Sequence, residues 1–229
     1  MIRKVAACAP LAVMLAMAPV VNADTIYDNT VNLLGTLIDG RELEWGDGAT
    51  LDGTERVVTR ISLIIHALGG DHPADVRVRL FEDGDIFKGE PGAMLWESEL
   101  FEQMTILDGS NLYDFDLPNV LVPDSLTWTL QLTNVGGSAG IVGSRFVHPP
   151  LVGSSEAFIW SRHANGSWTQ FLIPSYRSFG ARIEAVPEPA TLVLLAFAAA
   201  LLLRNRGAGR RPAGIQRNRN GDQPCLDPS

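Results

Sequence analysis

Gly136-Gly137-Ser138-Ala139-Gly140 spells G-x-S-x-G, the pattern with which serine hydrolases lift a nucleophile onto a strained turn between a strand and a helix. The residues after it, Ile141 to Pro150, include Gly143 and the pair Pro149-Pro150, which oppose a helix, so a hairpin connection is expected around Ser138. Glu97 and Glu99 stand two apart, a spacing that would put both carboxyls on one strand face, as a retaining glycosidase needs and as any solvated strand allows. His66, His72, His148 and His163 form none of the short spacings of zinc hydrolases. No catalytic group stands out, and the protein is not expected to be an enzyme. The alternative is a secreted hydrolase of polysaccharide or ester, in which Glu97, Glu99, Ser138 or a histidine would meet a second catalytic group in a pocket.

Two loops suggest binding instead. Glu82-Asp83-Gly84-Asp85, followed by Glu90-Pro91-Gly92, sets carboxylates beside glycine, which makes Asp83, Asp85 and Glu90 candidate ligands for Ca²⁺. Phe87 stands where an EF-hand loop would place a third oxygen ligand, so the loop is not of that type. Trp168 beside Asn165-Gly166 and Trp45 beside Gly46-Asp47-Gly48 are expected to be exposed, where an indole face can stack on a sugar ring. Trp96, Trp128 and Trp160 fall within strand patterns and are expected in the core.

These residues must be positioned by strands. Val76-Arg77-Val78-Arg79-Leu80 and Thr127 to Thr133 alternate apolar and polar side chains, the period at which strand residues share a face. Val57–Leu68, Met94–Phe101, Ala157–Ser161, Trp168–Ile173 and Phe179–Ala185 are further strand candidates. Asp47-Gly48, Asp52-Gly53, Gly69-Gly70, Asp83-Gly84, Asp108-Gly109, Gly136-Gly137 and Asn165-Gly166 are expected to be turns. No helical periodicity is sustained between residues 24 and 185. The fold class expected is all-β, an antiparallel β-sandwich of jelly-roll type.

The ends of the chain differ in kind. Arg3-Lys4, an apolar run from Val5 to Val21, and Val21-Asn22-Ala23 before Asp24 have the form of a secretory signal peptide over residues 1–23. Cys8 falls inside that segment and Cys225 in the far tail, so the ectodomain over residues 24–185 must be held by its core and not by disulfides. From Asp24 to Val186 there are 23 acidic and 10 basic side chains, a balance that disfavours nucleic acid as a partner. Residues 207–229 continue a basic, Gly-, Pro- and Asn-rich stretch without apolar periodicity, and disorder is expected there.

Between them, Val186-Pro187-Glu188-Pro189 precedes an apolar run, Ala190 to Leu203, and then Arg204-Asn205-Arg206. As a helix at about 1.5 Å per residue the run spans about 21 Å, short of a hydrocarbon core of about 30 Å. It is a marginal anchor, suited to a temporary stop with the prolines outside and the arginines inside.

With its motif, spacing and position behind a signal peptide, this segment resembles that of the PEP-CTERM family of exported bacterial proteins. The resemblance covers residues 186–206, with Arg210-Arg211 adding to the basic cluster. It implies a sorting signal in which Val186, Pro187, Glu188, Pro189, Arg204 and Arg206 are read by an exosortase, a membrane-embedded cysteine transpeptidase of Gram-negative bacteria that secrete exopolysaccharide. Family members usually end soon after the basic cluster, whereas this sequence runs on to Ser229. Pro91 to Glu97 and Phe179 to Ile183 are also similar to elements of the β-rich ectodomains joined to this signal, for which no activity is established. The resemblance implies a protein transiently inserted in the membrane, anchored before processing and residing afterwards in the cell envelope or outside the cell. There it would be a matrix component, or would bind exopolysaccharide or other matrix components. Glu188→Ala is expected to leave full-length protein in the membrane fraction. Mass spectrometry of released wild-type protein should show a C-terminus close to Pro189, and released protein that still carries Cys225 would refute the assignment.

Overall fold

Period-two segments can satisfy their backbone only by pairing with other strands, and pairing accounts for nearly all the regular structure here. The computed structural model describes residues 22–37, 44–84, 89–136, 141–163, 165–172, 178–188 and 197–199. Fourteen strands follow in chain order: β1 Asp24–Asp28, β2 Leu33–Leu37, β3 Glu44–Thr50, β4 Val57–Leu68, β5 His72–Glu82, β6 Met94–Glu97 and β7 Phe101–Ile106, then β8 Gly109–Leu121, β9 Ser125–Thr133, β10 Ile141–Val147, β11 Ser154–Arg162, β12 Trp168–Leu172, β13 Ser178–Phe179 and β14 Ala181–Val186. Among the described residues only 197–199 are helical, and no helix is long and apolar enough to cross a membrane. The expected signal peptide up to Val21, the tail after residue 206, Ser138, Pro189, Arg204 and Arg206 lie outside the described residues.

The strands form two seven-stranded sheets, with every strand pairing antiparallel. The first runs β1-β14-β4-β10-β13, with β2 beside β10 and β8 beside β4; the second runs β12-β11-β3-β9-β5-β6, with β7 beside β5. One cluster of buried apolar side chains draws on both sheets, including Ile61, Leu63, Ile65 and Ile183 from the first and Val76, Val78, Leu80, Leu126, Trp128 and Leu130 from the second.

Trp45 corrects the expectation of exposure: it is 1% exposed and belongs to this core. The reason is that Glu44 to Thr50 is not a loop but a strand with partners on both sides, β11 and β9, which turns alternate side chains inward. Asp47-Gly48, expected as a turn, lies inside it. Glycine is a poor strand former, but here the space its side chain would take is filled by neighbours, for Trp128 O and Thr129 press on Gly46 and Glu156 lies over Gly48. Asp47 is wholly buried, with a carboxylate oxygen that accepts the Phe179 N–H at 2.9 Å. That bond ties the second sheet to β13 of the first, and the Tyr27 hydroxyl makes a second tie from β1 to Ser155 on β11. Burial pushes the Asp47 carboxyl well above its ordinary range, against the Phe179 and Gly48 N–H groups.

Two expected strands are each broken once. Met94–Phe101 divides after Glu97, where the Ser98 N–H donates to Val78 O at 2.9 Å and its hydroxyl accepts the Val78 N–H at 3.0 Å. Phe179–Ala185 divides at Gly180, where the chain changes neighbour from β10 to β4. The Gly180 N–H donates to Arg145 O at 3.2 Å and its carbonyl accepts the Ile64 N–H at 2.9 Å. A Cβ at Gly180 would stand 2.4 Å from Ile64 Cδ1 and 3.0 Å from Ile64 Cβ, an atom a β-branched side chain cannot move aside. Gly180→Ala is therefore expected to lower stability by about 2 kcal/mol, read as a Tm drop of several degrees without loss of the far-ultraviolet β spectrum.

Candidate functional site

On the second sheet the face turned away from the shared core is itself largely covered. Glu44, Thr127, Thr129 and Trp160 point to that side and are fully buried, while Arg79 and Phe81 are nearly so. Trp160 thus meets the expectation of burial, but outside the core cluster.

The chain that follows β5 supplies part of the cover. At its base the Glu82 N–H donates to Ala93 O at 2.8 Å and the Gly92 N–H donates to Glu82 O at 3.1 Å, which closes the excursion between β5 and β6. Gly84 is pressed between the Trp160 ring and the returning backbone: a Cβ there would lie 2.7 Å from Trp160 Cζ2 and 2.7 Å from Glu90 O. Only glycine permits that approach.

Trp168 enters from the other side. A hairpin joins β11 to β12 through Asn165-Gly166, with the Gly166 N–H on His163 O at 2.8 Å and Gly166 at a φ of 84°. Trp168 then packs edge-to-face on Phe81, with centroids 6.0 Å apart at 82°, and the Arg162 guanidinium lies 5.6 Å from its ring centroid. Between this aromatic pair and the excursion opens a cleft of about 560 Å³, lined by Phe81, Glu82, Asp83, Glu90, Gly92 and Trp168 among others. Its volume falls in the range of small-ligand sites. Among the described residues that line it none is basic, and the charged ones are carboxylates, which accept hydrogen bonds from hydroxyls.

The structure therefore brings Asp83, Glu90 and Trp168 together and leaves Trp45 out of the site, within the core. Asp85 lies outside the described residues. Asp83 and Glu90 give two carboxylates of the six to eight oxygens that Ca²⁺ takes, and among the described residues no group of three acidic, histidine or cysteine side chains is placed to hold a metal.

Beside the cleft a charged network crosses the same face. Arg79 Nη1 lies 2.8 Å from Glu44 Oε2, with its N–H directions off the oxygen, so this is an ion pair rather than a linear hydrogen bond. Arg79 Nε donates to Glu97, Arg162 Nη1 approaches Glu44 Oε2 at 3.4 Å, and the Thr129 hydroxyl donates to Glu44 Oε1. Burial disfavours the Arg79 charge, but the facing carboxylates of Glu44 and Glu97 more than restore it.

Of the groups named for catalysis, Ser138 lies outside the described residues. Glu97 is paired with Arg79 and Arg77, and Glu99 lies beyond the end of β6, so the two do not share a strand face. Gly136 leads, across undescribed residues, to strand β10 and not to the helix a nucleophile elbow requires. His66 bonds Ser110 at 2.8 Å, His72 bonds Gly136 O at 2.9 Å and His163 bonds Thr169 at 3.0 Å. Of the sorting motif, Val186 closes the β14 ladder opposite Val57, and the next described residues are a half-buried Pro187 and an exposed Glu188.

Sequence reasoning missed Glu156, which stands directly behind Asp83. Its pairing on β11 skips from Ser155 to Ile159, a bulge that breaks the alternation by which a strand residue's face is read.

No family model and no curated protein matches the chain. Among solved structures, a chain of the T13 IBDV viral particle is similar at 13% identity and a TM-score of 0.31, over 74% of this chain and 40% of that one. This chain thus spans 40% of the length of that neighbour, and a likeness of this degree carries no argument.

Glu44 has no exposed surface and compensates Arg79, so its loss strands a buried cation. Glu44→Ala is expected to destabilise the protein by about 3 kcal/mol, measured by urea unfolding, with Glu44→Gln less damaging because its amide oxygen can still accept from Thr129.

Proposed function

We propose that the chain is an exported cell-surface or extracellular-matrix protein, sorted by a PEP-CTERM signal, whose two sheets pack as a jelly-roll-like β-sandwich and whose cleft binds polysaccharide without catalysing a reaction. One observation carries the binding reading: Trp168, Asp83 and Glu90, distant in sequence, line one open cleft on the second sheet. An aromatic surface beside hydrogen-bond acceptors suits a sugar, whose C–H face stacks on a ring while its hydroxyls donate to carboxylates. The acidic side chains among the described lining residues favour neutral over anionic glycans.

Destination rests on the ends of the chain. The β1–β14 register pairs Asp24 with Ala185, so the residue after the expected signal-peptide cleavage site and the residue before the sorting motif are neighbours on adjacent strands. A domain with both ends at one place can stay folded while either end is held in a membrane and cut. Export, exosortase processing and membrane insertion before release follow from the resemblance at residues 186–206.

The purified ectodomain, residues 24–188, should bind soluble neutral β-glucan in affinity electrophoresis. Trp168→Ala should weaken that binding at least about tenfold, a loss of about 1.4 kcal/mol, with an unchanged far-ultraviolet spectrum. Equal retardation of wild type and Trp168→Ala would overturn the assignment of the cleft. Absence of binding to neutral and acidic glycans alike would favour a purely structural matrix component.

A further inference from the structure

Trp168 opens β12, at one end of the second sheet's strand order, and is half-buried. Three strands, β11, β3 and β9, separate β12 from β5, so at about 4.8 Å per step the two backbones would lie about 19 Å apart on a flat sheet, more than the two side chains together can span. The Trp168 and Phe81 rings nevertheless meet, with centroids 6.0 Å apart. The sheet therefore curls over the face that bears the cleft, and the indole leans across that face.

Arg162 stands where it can hold the indole in that pose. Strand pairing sets Arg162 directly opposite Trp168 on one side and Glu44 on the other, so the three side chains form a row across β12, β11 and β3 on one face. The guanidinium is held at three points. Its Nε donates to Gly166 O at 3.3 Å, its Nη1 donates to Glu44 Oε2 at 3.4 Å, and its carbon lies 5.6 Å from the Trp168 ring centroid. Both acceptors are anchored: Gly166 closes the hairpin through its N–H on His163 O, and fully buried Glu44 is tied to Arg79 and Thr129. A planar guanidinium can bond two acceptors and still lie over an indole, which the point charge of a lysine cannot do at once.

We propose that Arg162 is the positioning residue of the cleft: its guanidinium, fixed by Glu44 and Gly166, holds the Trp168 indole across the curled sheet toward Phe81, so that the sugar-stacking ring is in place before a glycan arrives. The proposal deepens the polysaccharide reading, and rests on that reading for the ligand. Arg162 is not among the residues that line the cleft, and it acts on the ligand through Trp168. A tryptophan side chain turns about two bonds. Phe81 meets the ring on one side, and the guanidinium supplies the second contact. Without that contact the indole is released to other rotamers, and apparent affinity falls by the fraction of time the ring spends in its binding pose. A ring in place about one fifth of the time would bind about fivefold more weakly.

The order of the ring and the binding of glycan can be read separately. Without glycan, the near-ultraviolet circular dichroism of the ectodomain minus that of its Trp168→Phe variant isolates the Trp168 band. In an Arg162→Ala background the same difference should lose more than about half its intensity, as an indole freed from one pose does. With soluble neutral β-glucan, Arg162→Ala should weaken binding about fivefold, while in a Trp168→Ala background it should change the remaining binding by less than about 1.5-fold, because the residue through which it acts is gone. Arg162→Lys, which keeps the stem and charge but cannot bond Gly166 and Glu44 together, gives the same test at about twofold should Arg162→Ala not fold. An Arg162→Ala protein with an intact Trp168 band would overturn the proposal whether or not glycan binds. Equal loss of binding with and without Trp168 would overturn it too, since Arg162 would then act by another route. If the band is lost while wild-type protein binds no glycan, the positioning stands and the cleft's assignment to polysaccharide falls. If glycan binds wild type and Arg162→Ala alike, the positioning role is refuted and the binding reading survives.

Discussion

A strand that alternates apolar and polar residues has one face to hide, and a pair of such sheets can hide both by packing them together. The second sheet hides more than that. Trp45 and Trp128 point into the core shared with the first sheet, while Trp160, Thr127, Thr129 and Glu44 are buried on the opposite face. That double burial is the constraint on which the site depends. It requires Gly84 beside Trp160 and gives the carboxylates of Glu82, Asp83 and Glu90 a place next to Trp168.

Covering a face that carries charge has a desolvation cost, and the network around Arg79 offsets it. Glu44 and Glu97 bracket the guanidinium, Thr129 satisfies the second Glu44 oxygen, and Arg162 links the network to the Trp168 ring. On the inner side the same problem arises once, at Asp47, where backbone N–H groups satisfy one oxygen and burial favours the protonated acid. Glu156 is the third case: like Asp47 Oδ1, its Oε2 is buried without a hydrogen-bond partner, and burial raises its carboxyl to about 7.

Much of the strand structure was legible because alternation survives in the residues themselves. Val57–Leu68 matches β4 end to end, and the patterns at Val76–Leu80 and Thr127–Thr133 lie inside β5 and β9. The failures have identifiable causes. Asp47-Gly48 looked like a turn because glycine and aspartate score against strands, but pairing of Glu44–Thr50 on both sides overrode that local preference. Breaks at Ser98 and Gly180 were hidden because they depend on Val78, Ile64 and Arg145, partners remote in sequence.

By itself the sequence determined what local chemistry can determine: an all-β pattern, an acidic stretch from Asp24 to Val186 without cysteine, and ends whose composition resembles export and sorting signals. It also marked Asp83, Glu90 and Trp168 as residues able to bind, because carboxylates and indole declare their chemistry by type. Only the tertiary structure decided which of them meet. It drew Trp168 to the acidic residues and took Trp45 into the core, since strand pairing, not sequence distance, sets which face a side chain occupies. It also laid Glu156 over Gly48, for a β-bulge and the open side of a paired glycine are properties of paired strands and of no segment read alone.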